Sequence, residues 1–176
     1  MKRHKVDWSG LEEAFDNPSW EMNYYLNLET GEVVMTTEEE VRTLERIYED
    51  HYNPDDKEGF DLATILKEEG FQDWLQEALL MLDSIESASY SEMLPIPRAE
   101  TREAYRDMER FIATVADDAL ERRLWRAIQG RGAFRYFKDV LYEHPSERER
   151  WFAFEDARVK ERILAWLHDQ GIEPIE

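Results

Sequence analysis

Residues 117–141 read DDALERRLWRAIQGRGAFRYFKDVL, and the spacing of their apolar side chains indicates the fold class. Asp117 is a typical helix N-cap, and leucine or isoleucine then recurs at four-residue intervals up to a predicted helix end at Gly130. After the glycines, a second run of apolar side chains follows the same helical period. The stretch therefore predicts two helices joined by a tight turn. The apolar positions are Leu120, Leu124 and Ile128, then Phe134, Phe137, Val140 and Leu141.

Helical periodicity continues through most of the chain on either side of this stretch. One small β-hairpin is predicted near the N-terminus, over residues 23–35, because apolar side chains alternate there and Gly31 lies in the turn. Residues 90–97 are expected to be extended, since proline disfavours helix in the residue before it. The predicted fold class is mainly α (α+β), with seven or eight helices packed as a compact bundle.

Three helix starts in the first half are predicted from capping patterns. Ser9 followed by Glu12, and Thr37 followed by Glu40, both have the Ser/Thr-x-x-Glu form of a capping box. Asp61 is predicted to cap a further helix.

The charge is distributed unevenly along the 176 residues. Residues 1–98 hold 24 acidic and 8 basic side chains, whereas residues 99–176 hold 17 and 14. The length favours a single domain over 1–176, and the composition change suggests an acidic lobe (1–98) and a helical lobe (99–176) within it.

Composition excludes several classes of protein. A net charge of -19 argues against bulk coating of nucleic acid and against an anionic membrane surface. A hydrophobic content of 42%, with many aromatic side chains, argues against disorder. The absence of cysteine excludes disulfides, thiol nucleophiles and cysteine-ligated metals. No long apolar run is present, so a cytoplasmic location is expected.

Residues 119–138 form a basic island in this acidic chain, with six basic side chains and a single acid. Such a cluster can face a macromolecular partner, pair with the acidic half of the same chain, or hold a small anion at the Gly130–Arg135 turn. Our candidate contact residues for a partner or an anion are Arg122, Arg126, Arg131, Arg135 and Lys138.

No other pattern indicates catalysis, a cofactor or a metal. The four histidines are scattered, no Gly-x-Ser-x-Gly turn or phosphate loop occurs, and no pair of acids stands out. Trp125, Trp151, Phe152, Phe154 and Trp166 are assigned to the core, because their spacing is helical and no basic stripe accompanies them. We therefore predict no catalytic residue, no cofactor and no metal.

The run from Gly130 to Leu141, with Glu149-Arg150-Trp151-Phe152 and Ala165-Trp166-Leu167 after it, resembles a family of small bacterial cytoplasmic proteins of unknown function. Residues 24–33 are similar to the tyrosine-rich hairpin of that family. The resemblance implies no reaction, cofactor or partner.

The sequence is interpreted as a non-enzymatic cytoplasmic interaction or regulatory protein that binds a macromolecular partner, most simply another protein. One alternative is an acidic binder of a basic protein, or a nucleic-acid mimic of the inhibitor or antitoxin type. Another is an enzyme or sensor with a phosphate or other small anion at the Gly130–Arg135 turn. The oligomeric state is not predicted.

Overall fold

The structure, a computed structural model, describes residues 1–87 and 92–175. Eight α-helices lie within those ranges, which confirms the mainly α class. The helices are α1 (Trp8–Asp16), α2 (Glu38–His51), α3 (Leu62–Glu68), α4 (Asp73–Ser87), α5 (Thr101–Ile112), α6 (Asp118–Ala127), α7 (Ala133–Tyr142) and α8 (Pro145–Asp169). None of the helices in the described ranges combines the length and apolarity needed to cross a membrane.

Two small sheets accompany the helices in the described residues. The predicted hairpin is present as β2 (Met22–Asn27) and β3 (Val33–Thr37), and β4 (Met93–Pro95) pairs antiparallel to the other edge of β2. The expected extended segment at 90–97 is thus confirmed for β4, whereas residues 90 and 91 lie outside the described residues. The second sheet was not predicted: β1 (Lys2–Lys5) pairs in parallel with β5 (Ile172–Ile175).

The N-terminal caps of α1 and α2 can be compared with the predicted capping boxes. Thr37 and Glu40 form the predicted box, in which each side chain accepts a hydrogen bond from the other residue's backbone N–H. The box at Ser9 is wrong, because α1 already begins at Trp8 and the Asp7 carboxylate accepts from the Gly10 N–H at 3.0 Å. Asp7 is a better cap than Ser9, because a carboxylate is also attracted to the positive N-terminal end of the helix dipole.

Asp61 occupies the N-cap position of α3 as predicted, but it does not cap the backbone. Its carboxylate accepts instead from the Thr64 hydroxyl at 2.5 Å. A side-chain donor one turn away therefore replaces the backbone N–H in this short helix.

Buried apolar side chains form three clusters in the described structure. The α2–α4 cluster joins α2, α3 and α4, including Leu44 and Leu79. The terminal cluster joins α1, β2, β5 and the second half of α8, including Leu11 and Ile163. The helical cluster joins α5, α6, α7 and the first half of α8, including Trp151. Helix α8 thus contributes to two clusters, and the single domain with its two lobes stays a prediction.

A buried ion pair joins α5 to α8 near the middle of that long helix. Asp107 is only 3% exposed, and its two carboxylate oxygens accept from Arg158 Nε at 3.0 Å and Arg162 Nη1 at 2.6 Å. Charge-assisted bonds to both oxygens satisfy a carboxylate that would otherwise be costly to bury. The two Asp107 bonds therefore hold α5 against the middle of α8, at the point where α8 leaves the helical cluster and enters the terminal cluster.

The hairpin turn is held against the N-terminal segment at Gly31. This residue has φ +78°, and its carbonyl accepts from the Asp7 N–H at 2.8 Å. A Cβ at this position would lie 2.0 Å from the Lys5 carbonyl oxygen. Glycine is therefore required both by the left-handed backbone and by the close approach of the last residue of β1.

Asp107→Ala is expected to destabilise the protein strongly, because two partly buried guanidinium groups lose the buried carboxylate that they share and keep only the more exposed Glu161 and Glu103. The loss should be about 3–5 kcal/mol, which corresponds to a fall of roughly 10 °C in the thermal midpoint for a chain of this length. Circular dichroism during heating measures it. Glu103→Ala is the matched control, since Glu103 is half exposed and 3.9 Å from Arg162. It should cost less than about 1 kcal/mol, and an equal loss in both variants would contradict the assigned role of Asp107.

Gly31→Ala is expected to cost more stability than Gly70→Ala. Both glycines have positive φ, but a Cβ at Gly70 has no heavy atom within 4 Å. Gly70→Ala should therefore show only the left-handed penalty of about 1–2 kcal/mol, and Gly31→Ala an additional clash of roughly 1–3 kcal/mol. Urea unfolding midpoints compare the two. Equal losses would mean that the Lys5 backbone can move away freely.

Candidate functional site: a basic surface on α6 and α7

The basic island folds into two neighbouring helices and their connecting turn. The Asp117 carboxylate accepts from the Ala119 and Leu120 N–H groups at 2.9 and 3.0 Å, and these bonds hold the pKa of Asp117 below its usual value. The Asp117 cap is confirmed, whereas α6 ends at Ala127 and not at Gly130. Leu124 of α6 and Phe137 of α7 are fully buried in the helical cluster. The apolar faces of both helices thus point inward.

All five predicted contact residues are exposed. Arg122 and Arg126 lie one turn apart on α6, Arg131 lies in the turn, and Arg135 and Lys138 lie on α7. The basic surface is defined here as these five side chains. The helical phase that buries Leu124 and Phe137 leaves the four helical cations on the outside. Phe134, an apolar position of the same predicted stripe, is 36% exposed.

Ion pairing of the basic surface is slight in the part of the chain that the structure describes. Arg135 lies 3.9 Å from Asp139 on the same helix, with the two side chains 84% and 65% exposed, and the other four side chains have no carboxylate within 4 Å among the described residues. By contrast Arg123, which is outside the surface, pairs with Glu143 at 2.6 Å, and this raises the pKa of Arg123 and lowers that of Glu143. Within the described residues no ion pair joins the basic surface to residues 1–98.

Lys138 lies at the edge of the basic surface, beside an acidic groove between α1 and α8. Burial raises the pKa of the Glu155 carboxyl, the nearby Asp16 raises it further, and the charge of Lys138 opposes both. The groove has a volume of about 220 Å³. Its lining residues are Glu12, Glu13, Asp16, Glu155, Asp156 and Val159. The positive surface therefore ends at a negative one along α8.

The turn between the helices has the backbone expected from its glycines. Gly130 and Gly132 have φ +82° and +76°, and Gly132 is the N-cap of α7 without a side-chain cap. A Cβ on Gly132 would lie 3.0 Å from the Tyr136 ring, which packs over the start of the helix. Among residues 1–87 and 92–175, no three histidine or acidic side chains are arranged to hold a metal ion.

Exposed aromatic rings next to the basic surface were missed by the sequence analysis. Trp151 is buried as predicted, whereas the assignment of Phe152 to the core is wrong, because its side chain is 44% exposed; Tyr142 is 72% exposed. The guanidinium carbon of Arg148 lies 5.4 Å from the centroid of each of these two rings. The exposure of Phe152 could have been predicted from the helical period. Trp151 lies on the buried side of α8, and the next residue along a helix points about 100° away from it.

Glu155→Gln is expected to stabilise the protein at neutral pH. Because the pKa of Glu155 is raised in the folded state, the folded protein binds this proton more tightly than the unfolded chain does. The favourable contribution is present at low pH and is lost as pH rises through the raised pKa. The gain in thermal midpoint should therefore be larger at about pH 7.5 than at about pH 4. Glu149→Gln, at an exposed position of the same helix, is the control and should change little; a gain that grows towards low pH would contradict the prediction.

Comparisons with known proteins identify the chain at family level. The model of an uncharacterised protein family, UPF0158, matches residues 72–176, which include the whole basic surface. The UPF0158 protein PA5073 of Pseudomonas aeruginosa is 25% identical over 174 residues, covering 99% of this chain and 88% of that protein. No solved structure matches. The chain therefore belongs to the UPF0158 family, whose function is uncharacterised.

Proposed function

We propose that this protein is a non-enzymatic interaction protein of the cytoplasm that binds an acidic region of a partner protein through the basic surface of α6 and α7. The observation that carries the proposal is the exposure of five cations, four of which have no carboxylate within 4 Å in the described part of the chain. Exposed cations on two packed helices and their connecting turn are available to a partner's carboxylates at little cost in internal pairing, since only the exposed Arg135–Asp139 contact involves them in the described residues.

The net charge favours a protein partner over a nucleic acid. A long polyanion carries one charge per strand about every 3.4 Å, and a protein of charge -19 repels it over the whole contact. An acidic patch on a protein is more compact and can meet the basic surface locally. Four of the five cations are arginines, which can bind carboxylates bidentately and so add geometric selectivity.

The acidic first half is the rival surface. Glu45 and Glu49 are exposed one turn apart on α2, and a basic partner could bind there or in the acidic groove beside Glu155. That alternative predicts that charge changes on α2 matter and that changes on α7 do not. The two surfaces can therefore be separated with pairs of charge-reversal variants.

Arg131→Glu/Arg135→Glu is expected to abolish capture of the partner while leaving the fold intact. The only ion pair of these two side chains in the described residues is the exposed Arg135–Asp139 contact, which contributes less than about 1 kcal/mol. Immobilised wild type and variant are incubated with lysate of the native host at about 50 and 200 mM salt. Captured proteins are quantified by mass spectrometry. The partner should bind wild type more weakly at the higher salt.

Arg42→Glu/Arg46→Glu is the matched control, because it reverses two exposed arginines four residues apart on α2 and changes the net charge equally. It should retain the partner. Equal loss in both variants would indicate general repulsion instead of a defined surface. Loss only with Glu45→Lys/Glu49→Lys would favour the acidic surface, and a large fall in the thermal midpoint of Arg131→Glu/Arg135→Glu would assign those arginines to the fold.

A further inference from the structure

A row of exposed side chains continues the basic surface onto α8. Phe134, Lys138 and Tyr142 follow one another at four-residue intervals on α7, so they share one flank of that helix. Arg148 and Phe152 lie one turn apart on α8, and Arg148 contacts both Tyr142 and Phe152. We call these five residues the α7–α8 seam.

Three of the five side chains of the seam are aromatic and exposed. Tyr142, Phe152 and Phe134 are 72%, 44% and 36% exposed. Tyr142 and Phe152 both lie against Arg148, and Phe134 lies about two turns before Tyr142 on α7. Single exposed apolar side chains need no explanation, but a contiguous group that is flanked by charges is typical of a binding surface. The seam is therefore a candidate for contacts with apolar groups of a partner.

Arg148 is one of the two cations of the seam and contacts both of its most exposed rings. Its guanidinium lies 5.4 Å from both ring centroids, within the range of a cation–π contact. No carboxylate lies within 4 Å of it among the described residues, so its N–H donors are free to bind an anion. Stacking on the two rings holds the group in place before a ligand arrives, which lowers the entropic cost of binding.

The charges of the seam indicate the kind of ligand. Lys138 and Arg148 are both cationic, and Arg135 lies about one turn before Lys138 on α7. The acidic groove at Glu155 borders the seam only at Lys138 among these three cations. A ligand must therefore offer carboxylates to these cations and apolar side chains to the three rings. Single-stranded nucleic acid also combines anions with stacking groups, but Arg148 already lies over Tyr142 and Phe152, and the protein's net charge opposes a long polyanion.

We infer that the α7–α8 seam binds an acidic peptide segment that also carries apolar side chains, and that this segment is the part of the partner recognised next to the basic surface. The inference rests on the proposed function, because it gives the chemistry of that partner. The cations supply long-range attraction and register, and the aromatic rings supply the apolar contact. A segment with acidic residues alone would bind the cations but would make no apolar contact with the rings.

Two fluorescein-labelled peptides of equal length and charge test the inference by fluorescence anisotropy. One contains Glu with Leu and Phe, and the other contains Glu with Ser. Wild type should bind the Glu-Leu-Phe peptide about tenfold more tightly. Tyr142→Ala/Phe152→Ala should remove that difference and leave the weak binding of the Glu-Ser peptide unchanged. Both substituted side chains are exposed, and Trp74→Ala, which removes an aromatic side chain of similar exposure from α4, should change neither affinity.

The outcomes separate the inference from the proposed function. Equal affinity of wild type for both peptides, or no binding of either, overturns the seam as a site for apolar side chains. The proposed function is then decided independently by the capture experiment with Arg131→Glu/Arg135→Glu. Tighter binding of a single-stranded oligothymidylate would assign the seam to nucleic acid. A concentration-dependent dimer in sedimentation velocity that Tyr142→Ala/Phe152→Ala abolishes would assign it to a second copy of the chain, and either result overturns the inference.

Discussion

The bonds from Arg158 and Arg162 to the Asp107 carboxylate are the interaction that sets how α5 lies on α8. The packing of the helices in the second half of the chain depends on that contact. The contact lies where α8 leaves the helical cluster and enters the terminal cluster. Apolar contacts alone would tolerate small rotations of α5 against α8, because they are not directional. Two charge-assisted bonds to one buried carboxylate restrict that freedom. These two bonds therefore mainly set the relative orientation of α5 and α8, since burying charges contributes little net stability even when they are well paired.

The position of α8 determines what the adjacent helices can present. Its first half packs Trp151 against Phe111 and Phe137, at centroid distances of 5.2 and 4.8 Å. This contact orients α7 so that its opposite flank, with Lys138 and Tyr142, faces solvent. The basic surface and the α7–α8 seam are therefore outer faces of a packed helical unit. Because the backbone that carries these surfaces is already helical and packed, binding a partner does not require a segment to fold first.

The charge of the molecule and its proposed role are physically consistent. A large net negative charge favours solubility and discourages non-specific contact with nucleic acids and membranes. A small exposed cationic surface against that background attracts acidic partners only at short range, because salt screens the field beyond about 10 Å. Shape and apolar contact must then supply selectivity, and the exposed rings around Arg148 are available for that purpose. Family membership adds no reaction that would compete with this interpretation.

The sequence by itself determined most of the helices, the hairpin and the exposure of the five side chains of the basic surface, because these follow from local periodicity, turn residues and helical phase. Thr37 and Glu40 form their box within four residues, and Arg122 and Arg126 must lie opposite Leu124. Only the tertiary structure decided the parallel pairing of Lys2–Lys5 with Ile172–Ile175, the burial of Asp107, and the meeting of Tyr142, Arg148 and Phe152. The strand pairing and the Asp107 bonds join residues far apart in the chain, and the Arg148 contacts depend on how α7 packs on α8. A local pattern carries no information about which distant helix or strand will supply the other half of such a contact.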